Sequence, residues 1–187
     1  MSEFVNTTDI IGADELASRL IQGTLTEFCD NRVKIIGSYS FGYCSALERI
    51  SCPAATTIRN YPFESCGNLV ECSFPSVTQA ENGCFQGCSS LRIIDLPAVK
   101  TIYGYAAFRY CSSLVAVILR NTTTVCTLKE TGETFSGAGS ARIYVPASLL
   151  DAYRGATNWS VFADRFRALE DYTVDGTVTG ELDESKI

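Results

Sequence analysis

Histidine is absent from the 187 residues, and methionine and tryptophan occur once each. Without imidazole, every His-based triad or dyad is excluded. So are the zinc sites that mix cysteine with histidine, and the tight C-x-x-C pair of the all-cysteine sites is missing too. The closest cysteines in sequence, Cys84 and Cys88, stand four apart. No metal or cofactor is therefore expected. No apolar run is long enough to span a bilayer, so membrane insertion is not expected either. No lysine–arginine run exists and the formal charge is −6, which argues against nucleic acid as a partner. A phosphate-cradling glycine motif is lacking; GSYSFGY and GAGSAR read as turns. No spacing singles out a carboxylate pair for glycosidic chemistry. The opening residues MSEFVNTTDIIGADE lack a basic stretch followed by an apolar one, so a secretory signal is not expected in them.

What is present is a repeat. Phe41, Phe63 and Phe85 are 22 apart, Phe108 follows 23 on and Phe135 27 on. Three residues after the first four stand Cys44, Cys66, Cys88 and Cys111, with Ala138 in the fifth copy. Three further on come Leu47, Leu69, Leu91 and Leu114, then Ile50, Cys72, Ile94 and Val117, and two later Cys52, Phe74, Leu96 and Leu119. Pro53, Pro75 and Pro97 close these segments, and Pro146 closes a shorter one. Ile36, Ile58, Ala80 and Ile102 precede each Phe by five or six residues, and an incomplete first copy begins at Leu25 with Phe28.

Such a register is a coil in which equivalent residues stack on their neighbours. The segment ending in proline alternates apolar and polar residues, which reads as a short strand that proline terminates. Strands are expected near 25–29, 47–52, 69–74, 91–96, 114–119 and 142–145, stacked in parallel in one sheet. The returning side, with its Phe and Cys, is expected to pack on that sheet as loops or one-turn helices. A single copy cannot bury its apolar face, so stability must come from stacking.

The copies FESCGNLVECSFPSVTQAENGC and FQGCSSLRIIDLPAVKTIYGYAA resemble the BspA-like leucine-rich repeat, whose unit reads T-I-x-x-x-A-F-x-x-C-x-x-L-x-x-I-x-I-P. RNTTTVCTL followed by ARIYVPASLLDAYRGATNWSVFADRF resembles the C-terminal ends of such proteins from gut bacteria and their phages. The resemblance implies an α/β chain: a right-handed leucine-rich-repeat solenoid with one parallel β-sheet and helical caps. It implies a cell-surface, secreted or phage-particle setting and a non-enzymatic recognition or adhesion module that binds a protein or glycan. The alternative it leaves open is a structural or receptor-contact component of a phage tail or particle.

On this reading residues 1–24 are an N-terminal helical cap, 25–146 the solenoid, 147–170 a C-terminal helical cap and 171–187 an acidic tail or linker. The first cap rests on Ile10, Leu16, Leu20 and Ile21 at helical spacing, with Gly23 after them. The second rests on SLLDAYRGA and NWSVFADRFRAL as two short helices anchored by Trp159, Phe162 and Phe166. The cysteine column and the phenylalanine column are expected in the core, with Cys29, Cys84 and Cys126 outside the ladder and open to exposure. Tyr39, Tyr43, Tyr61, Tyr103, Tyr105 and Tyr110 fall near the turns, as a contact rim or as filling between coils. Residues flanking the inward strand positions point outward: Arg49, Ser51, Glu71, Ser73, Asp95, Arg142 and Tyr144, together with Ile93 and Ile118. This stripe is the candidate partner-binding surface.

Overall fold

Every coil of the chain crosses two sides of a stack as a short strand and turns a third corner through its phenylalanine. The structure, a computed structural model, describes residues 10–11, 23–121, 123–171, 173–174 and 177–178. In chain order the strands are Ile10–Ile11 (β1), Glu27–Cys29 (β2), Ile35–Ile36 (β3), Arg49–Ser51 (β4), Thr57–Ile58 (β5), Glu71–Ser73 (β6) and Gln79–Ala80 (β7). Then follow Ile93–Asp95 (β8), Thr101–Ile102 (β9), Ala116–Ile118 (β10), Thr127–Leu128 (β11), Arg142–Val145 (β12), Phe166–Ala168 (β13), Thr173–Val174 (β14) and Thr177–Val178 (β15).

Parallel strands lie where the repeat places them, but not in one sheet. β2, β4 and β6 form a three-stranded ladder and β8, β10, β12 and β13 a four-stranded one, so the strand face has a break between β6 and β8. Phe74, the residue after β6, stands at the break. It fills the slot that Cys52, Leu96 and Leu119 fill elsewhere, with its ring 5.7 Å from Phe63 and 6.3 Å from Phe85. The returning side is not loops alone. The two-residue strands β1, β3, β5, β7, β9 and β11 make a second, six-stranded parallel sheet, because each coil repeats a short extended pair such as Thr57–Ile58 with its second residue buried.

The core is a set of columns. The rings of Phe41, Phe63, Phe85, Phe108 and Phe135 stack with centroids 5.2–6.0 Å apart, and edge-on Phe28 and Phe162 close the two ends at 5.1 Å. Cys44, Cys66, Cys88 and Cys111 are all fully buried beside them. So are Cys84 and Cys126, contrary to the expectation of exposure. Cys84 shares a buried small-residue slot with Ser40, Ala107 and Thr134, each one residue before its Phe, and Cys126 is covered by Tyr153 and Trp159 of the C-terminal cap.

The third corner needs an unusual backbone. Positive φ recurs two residues before each Phe, at Tyr39, Tyr61, Gly83, Ala106 and Glu133, and two after it, at Tyr43, Ser65, Gly87, Tyr110 and Gly137. With these reversals successive N–H groups donate along the stack, as Tyr39 to Asn60, Phe41 to Pro62 and Tyr43 to Glu64. The third side is thereby hydrogen-bonded from coil to coil without being a sheet.

The ends differ from expectation in detail. Ile10 and Ile11 pair with Ile35 and Ile36 as a strand, so no helix includes Ile10; residues 12–22, and with them the rest of the expected N-terminal helix, lie outside the described residues. At the other end the first expected helix is a 3-10 turn over Ala147–Leu149 running into an α-helix at Leu150–Gly155. The second is a 3-10 segment, Trp159–Arg165, that stops where Phe166 turns extended. Phe166 stays an anchor, but as part of β13, which pairs with β12 and prolongs the strand face. Beyond it β14 and β15 pair antiparallel; the rest of the expected acidic tail lies outside the described residues.

Candidate functional site

The strand alternation places one residue of each three inward and two outward, so the strand face carries two outward rows. The first runs Glu27, Arg49, Glu71, Ile93, Ala116, Arg142; the second runs Cys29, Ser51, Ser73, Asp95, Ile118, Tyr144. Both rows change character halfway. Over β2, β4 and β6 they are charged or small and polar; over β8 and β10 they are largely apolar.

The first half is concave. A groove of about 530 Å³ is lined by Glu27, Cys29, Arg49, Ser51, Glu71, Ser73, Asp95 and Arg120, together with Phe74, Pro75, Pro97, Ile50 and Cys72. Cys29, Ser51 and Ser73 are short, which leaves room between the longer charged row and the prolines. The break between β6 and β8 crosses this groove. Five of the candidate residues, Arg49, Ser51, Glu71, Ser73 and Asp95, are brought together here.

The other two are not. Arg142 sits opposite Ala116 and donates to the main-chain carbonyl of Asp164 at 3.3 Å. Tyr144 packs, with Ile93 and Leu169, on the fully buried Ala116 and Ile118. Ile118 is thus a correction to the outward stripe: it faces away from the main core but is covered, because Leu169 folds back over β10. The sequence alternation could not show that a residue fifty positions on would close this half of the face. Glu27, Cys29 and Arg120 were missed for a simpler reason. The first belongs to the incomplete copy and the last lies beyond its strand, yet Glu27 shares the register of Arg49 and Glu71.

The electrostatics of the groove are organised around two guanidinium groups. Arg49 stands directly across from Glu27 on one side and Glu71 on the other in the parallel register. Its guanidinium donates to Glu27 at 3.2 Å and lies 3.6 Å from Glu48. The hydrogen bond to Glu27, then the charges of Glu27, Glu71 and Glu48, hold Arg49 above its ordinary value. The same bond from Arg49, with one from Cys29, holds the Glu27 carboxyl below its ordinary value. At the far end the Arg120 Nε donates to Asp95 at 2.7 Å. Cys29 is the one exposed cysteine; partial burial first, then its hydrogen bond to Glu27 at 3.5 Å, raise its thiol.

On the turn side Tyr39, Tyr43, Tyr105 and Tyr110 are exposed. Tyr39 stacks on Tyr61 at 5.5 Å, the Tyr61 ring lies where a Cβ on Gly83 would stand, and the Tyr105 and Tyr110 rings lie against Gly132 and Gly137. Among the described residues no group of three or more His, Cys, Asp or Glu side chains could hold a metal ion, and no helix is long and apolar enough to cross a membrane.

Stacked coils with a Phe–Cys–Leu–Pro register and a parallel strand face define a leucine-rich-repeat solenoid. The sequence matches the model of the BspA type leucine-rich repeat region over residues 24–138, in six copies, and the chain belongs to this family. That family is defined by its repeat and not by a catalytic constellation. Among solved structures, a leucine rich cell surface protein from Faecalibacterium prausnitzii A2-165 is similar, with a TM-score of 0.52 at 22% identity over 64% of this chain. The likeness spans 31% of that chain, so the relation is one of fold over less than a third of the neighbour's length. Among curated proteins nothing matches the sequence.

Proposed function

We propose that the chain is a non-catalytic recognition module of adhesion type that takes a protein or glycan partner into the groove on its strand face. The observation that carries this reading is the groove itself. It is a cavity of about 530 Å³ built from outward positions whose identity the solenoid does not dictate. The phenylalanine column of the core repeats one residue type from coil to coil. The groove rows do not, and a volume of this order is what a short segment of a ligand fills. On the apolar half of the face Tyr144 and Leu169 pack over Ala116 and Ile118, outside the groove. Repeat solenoids characteristically bind along their extended concave side. The similar solved protein is described as a cell surface protein, which supports an exposed setting where such a face meets other molecules.

The test is a screen of the immobilised chain against glycans and extracellular-matrix proteins, repeated with Ser51→Gln/Ser73→Gln. Both serines are at least partly exposed, so longer side chains there fill the groove without entering the core. Binding present in the parent and lost in this variant is the expected result. A partner that both chains bind equally sinks the groove as its site.

A further inference from the structure

We propose that the occupant of this groove is a basic, extended polypeptide segment that sets a lysine or arginine side chain on Glu71. The inference rests on the groove reading above and adds the chemistry of the ligand.

It starts from how the charges are paired. Arg49 could turn to either of its cross-strand neighbours and turns to Glu27, with Glu48 as a second partner. Arg120 is paired with Asp95 at 2.7 Å. Both guanidinium groups of the groove are therefore engaged by carboxylates of this chain. Glu71 is exposed, and among the described residues no cation stands within 4.0 Å of it. An anionic ligand would have to break an ion pair to find a cation here. A cationic one finds a carboxylate waiting.

The sign of the surroundings agrees. Three carboxylates line the groove (Glu27, Glu71, Asp95) against two guanidinium groups, and Glu48 lies beside them. Phe74, Pro75 and Pro97 line the same groove, an apolar surface on which the methylene stem of a lysine or arginine can lie while its head stays at the carboxylate. The groove runs across four coils from Cys29 to Asp95. At a strand spacing of about 4.8 Å that is about 14 Å, the length of about four residues of extended chain.

The experiment is a selection of displayed random peptides on the full chain, with counter-selection on Ser51→Gln/Ser73→Gln, run beside a glycan array with the same two proteins. Expected are peptides enriched in lysine and arginine over the input library. Their affinity should fall about fivefold in Glu71→Gln, stay unchanged in the control Glu130→Gln, and weaken as salt is raised. Groove-dependent peptides with no basic bias, or basic peptides indifferent to Glu71→Gln, overturn the proposal. A neutral glycan lost in the serine variant also overturns it, while leaving the groove as the binding site. If no probe distinguishes the parent from the serine variant, both readings fall together.

Discussion

The thiol of Cys66 donates a hydrogen bond to the main-chain carbonyl of Phe41, 3.0 Å away in the preceding coil. Cys88 does the same to Phe63 at 3.4 Å and Cys111 to Phe85 at 3.0 Å. Each of these carbonyls already accepts the N–H of the cysteine in its own coil, as Phe41 does from Cys44 at 3.0 Å. The slot therefore asks for a residue that is small, apolar and able to donate once more, which describes cysteine. Ala138 fills the fifth copy without a donor, so the bond adds stability but is not required for the coil to form.

Replacing Cys66 by alanine should accordingly cost about 1–2 kcal/mol, the sum of a weak hydrogen bond and a small void. Phe41 keeps its bond from Cys44, so no buried carbonyl is orphaned. Urea denaturation of C66A measures it. A variant as stable as the parent would reduce the thiol to mere filling.

How much of this was legible beforehand follows from which interactions are periodic. Phe41, Cys44 and Leu47 announce their burial because the next coil repeats them, and strands fell where Leu47 and Pro53 bracket them. Features that depend on a single bulky residue or on chain returning from afar do not repeat and were not legible. Phe74 stands where the strand ladder breaks, Leu169 covers Ile118, and Phe166 becomes a strand because β12 offers it an edge. The second sheet was visible only as modest pairs such as Thr101–Ile102, too short to read as strands alone. Five candidate groove residues could be named from alternation, but the concavity that joins them to Glu27 and Arg120 could not.

Gly83 is a position where one added carbon meets a neighbouring coil. Its φ is +59°, and a Cβ there would stand 2.1 Å from the Tyr61 ring. Gly83→Ala should lower stability by about 1–3 kcal/mol, from backbone strain and displacement of that ring. Tyr61→Ala in the same chain removes the clash but not the strain, so the double variant should recover part of the loss. Thermal melts of the two single variants and the double one test this; simple additivity would show that the ring and the glycine do not interact.

Stability should fall in alkali. Burial pushes the Cys44 thiol up to about 11 and those of Cys52, Cys111 and Cys126 up to about 12, against an ordinary value near 9.0. A folded-state value raised in this way means the folded chain holds its proton more tightly than the unfolded one. Below pH 9 both states are protonated and the full stability is present; above it the unfolded chain ionises first, and stability is lost progressively toward pH 11–12. Tyr153, raised to about 12 by burial, adds to the loss from its ordinary value of 10 upward. Urea midpoints should be level between pH 7 and about pH 9 and drop at higher pH, less steeply in Cys88→Ala/Cys111→Ala. An equal slope in that variant would assign the loss to other groups.

The C-terminal cap finishes the six-stranded sheet with side chains in place of a strand. β11 is the last strand of that sheet, and its outer edge would expose main-chain groups. The Tyr153 hydroxyl accepts the Cys126 N–H at 2.9 Å, the Trp159 indole donates to the Cys126 carbonyl at 2.6 Å, and the Asn158 amide donates to Leu128 and Lys129, both at 2.9 Å. Tyr153 and Trp159 are themselves fully buried and pack on Phe166, so the groups that close one sheet hold the strand that extends the other. Tyr153→Phe keeps the packing and deletes only the acceptor. It should cost about 1–3 kcal/mol, the penalty for a buried N–H left without a partner. The loss should be local at first, as faster hydrogen exchange at Cys126 and Leu128 with little change at Ile58 or Ala80 in the middle of the sheet. Uniform acceleration across the sheet would mean instead that the cap and the solenoid unfold as one unit.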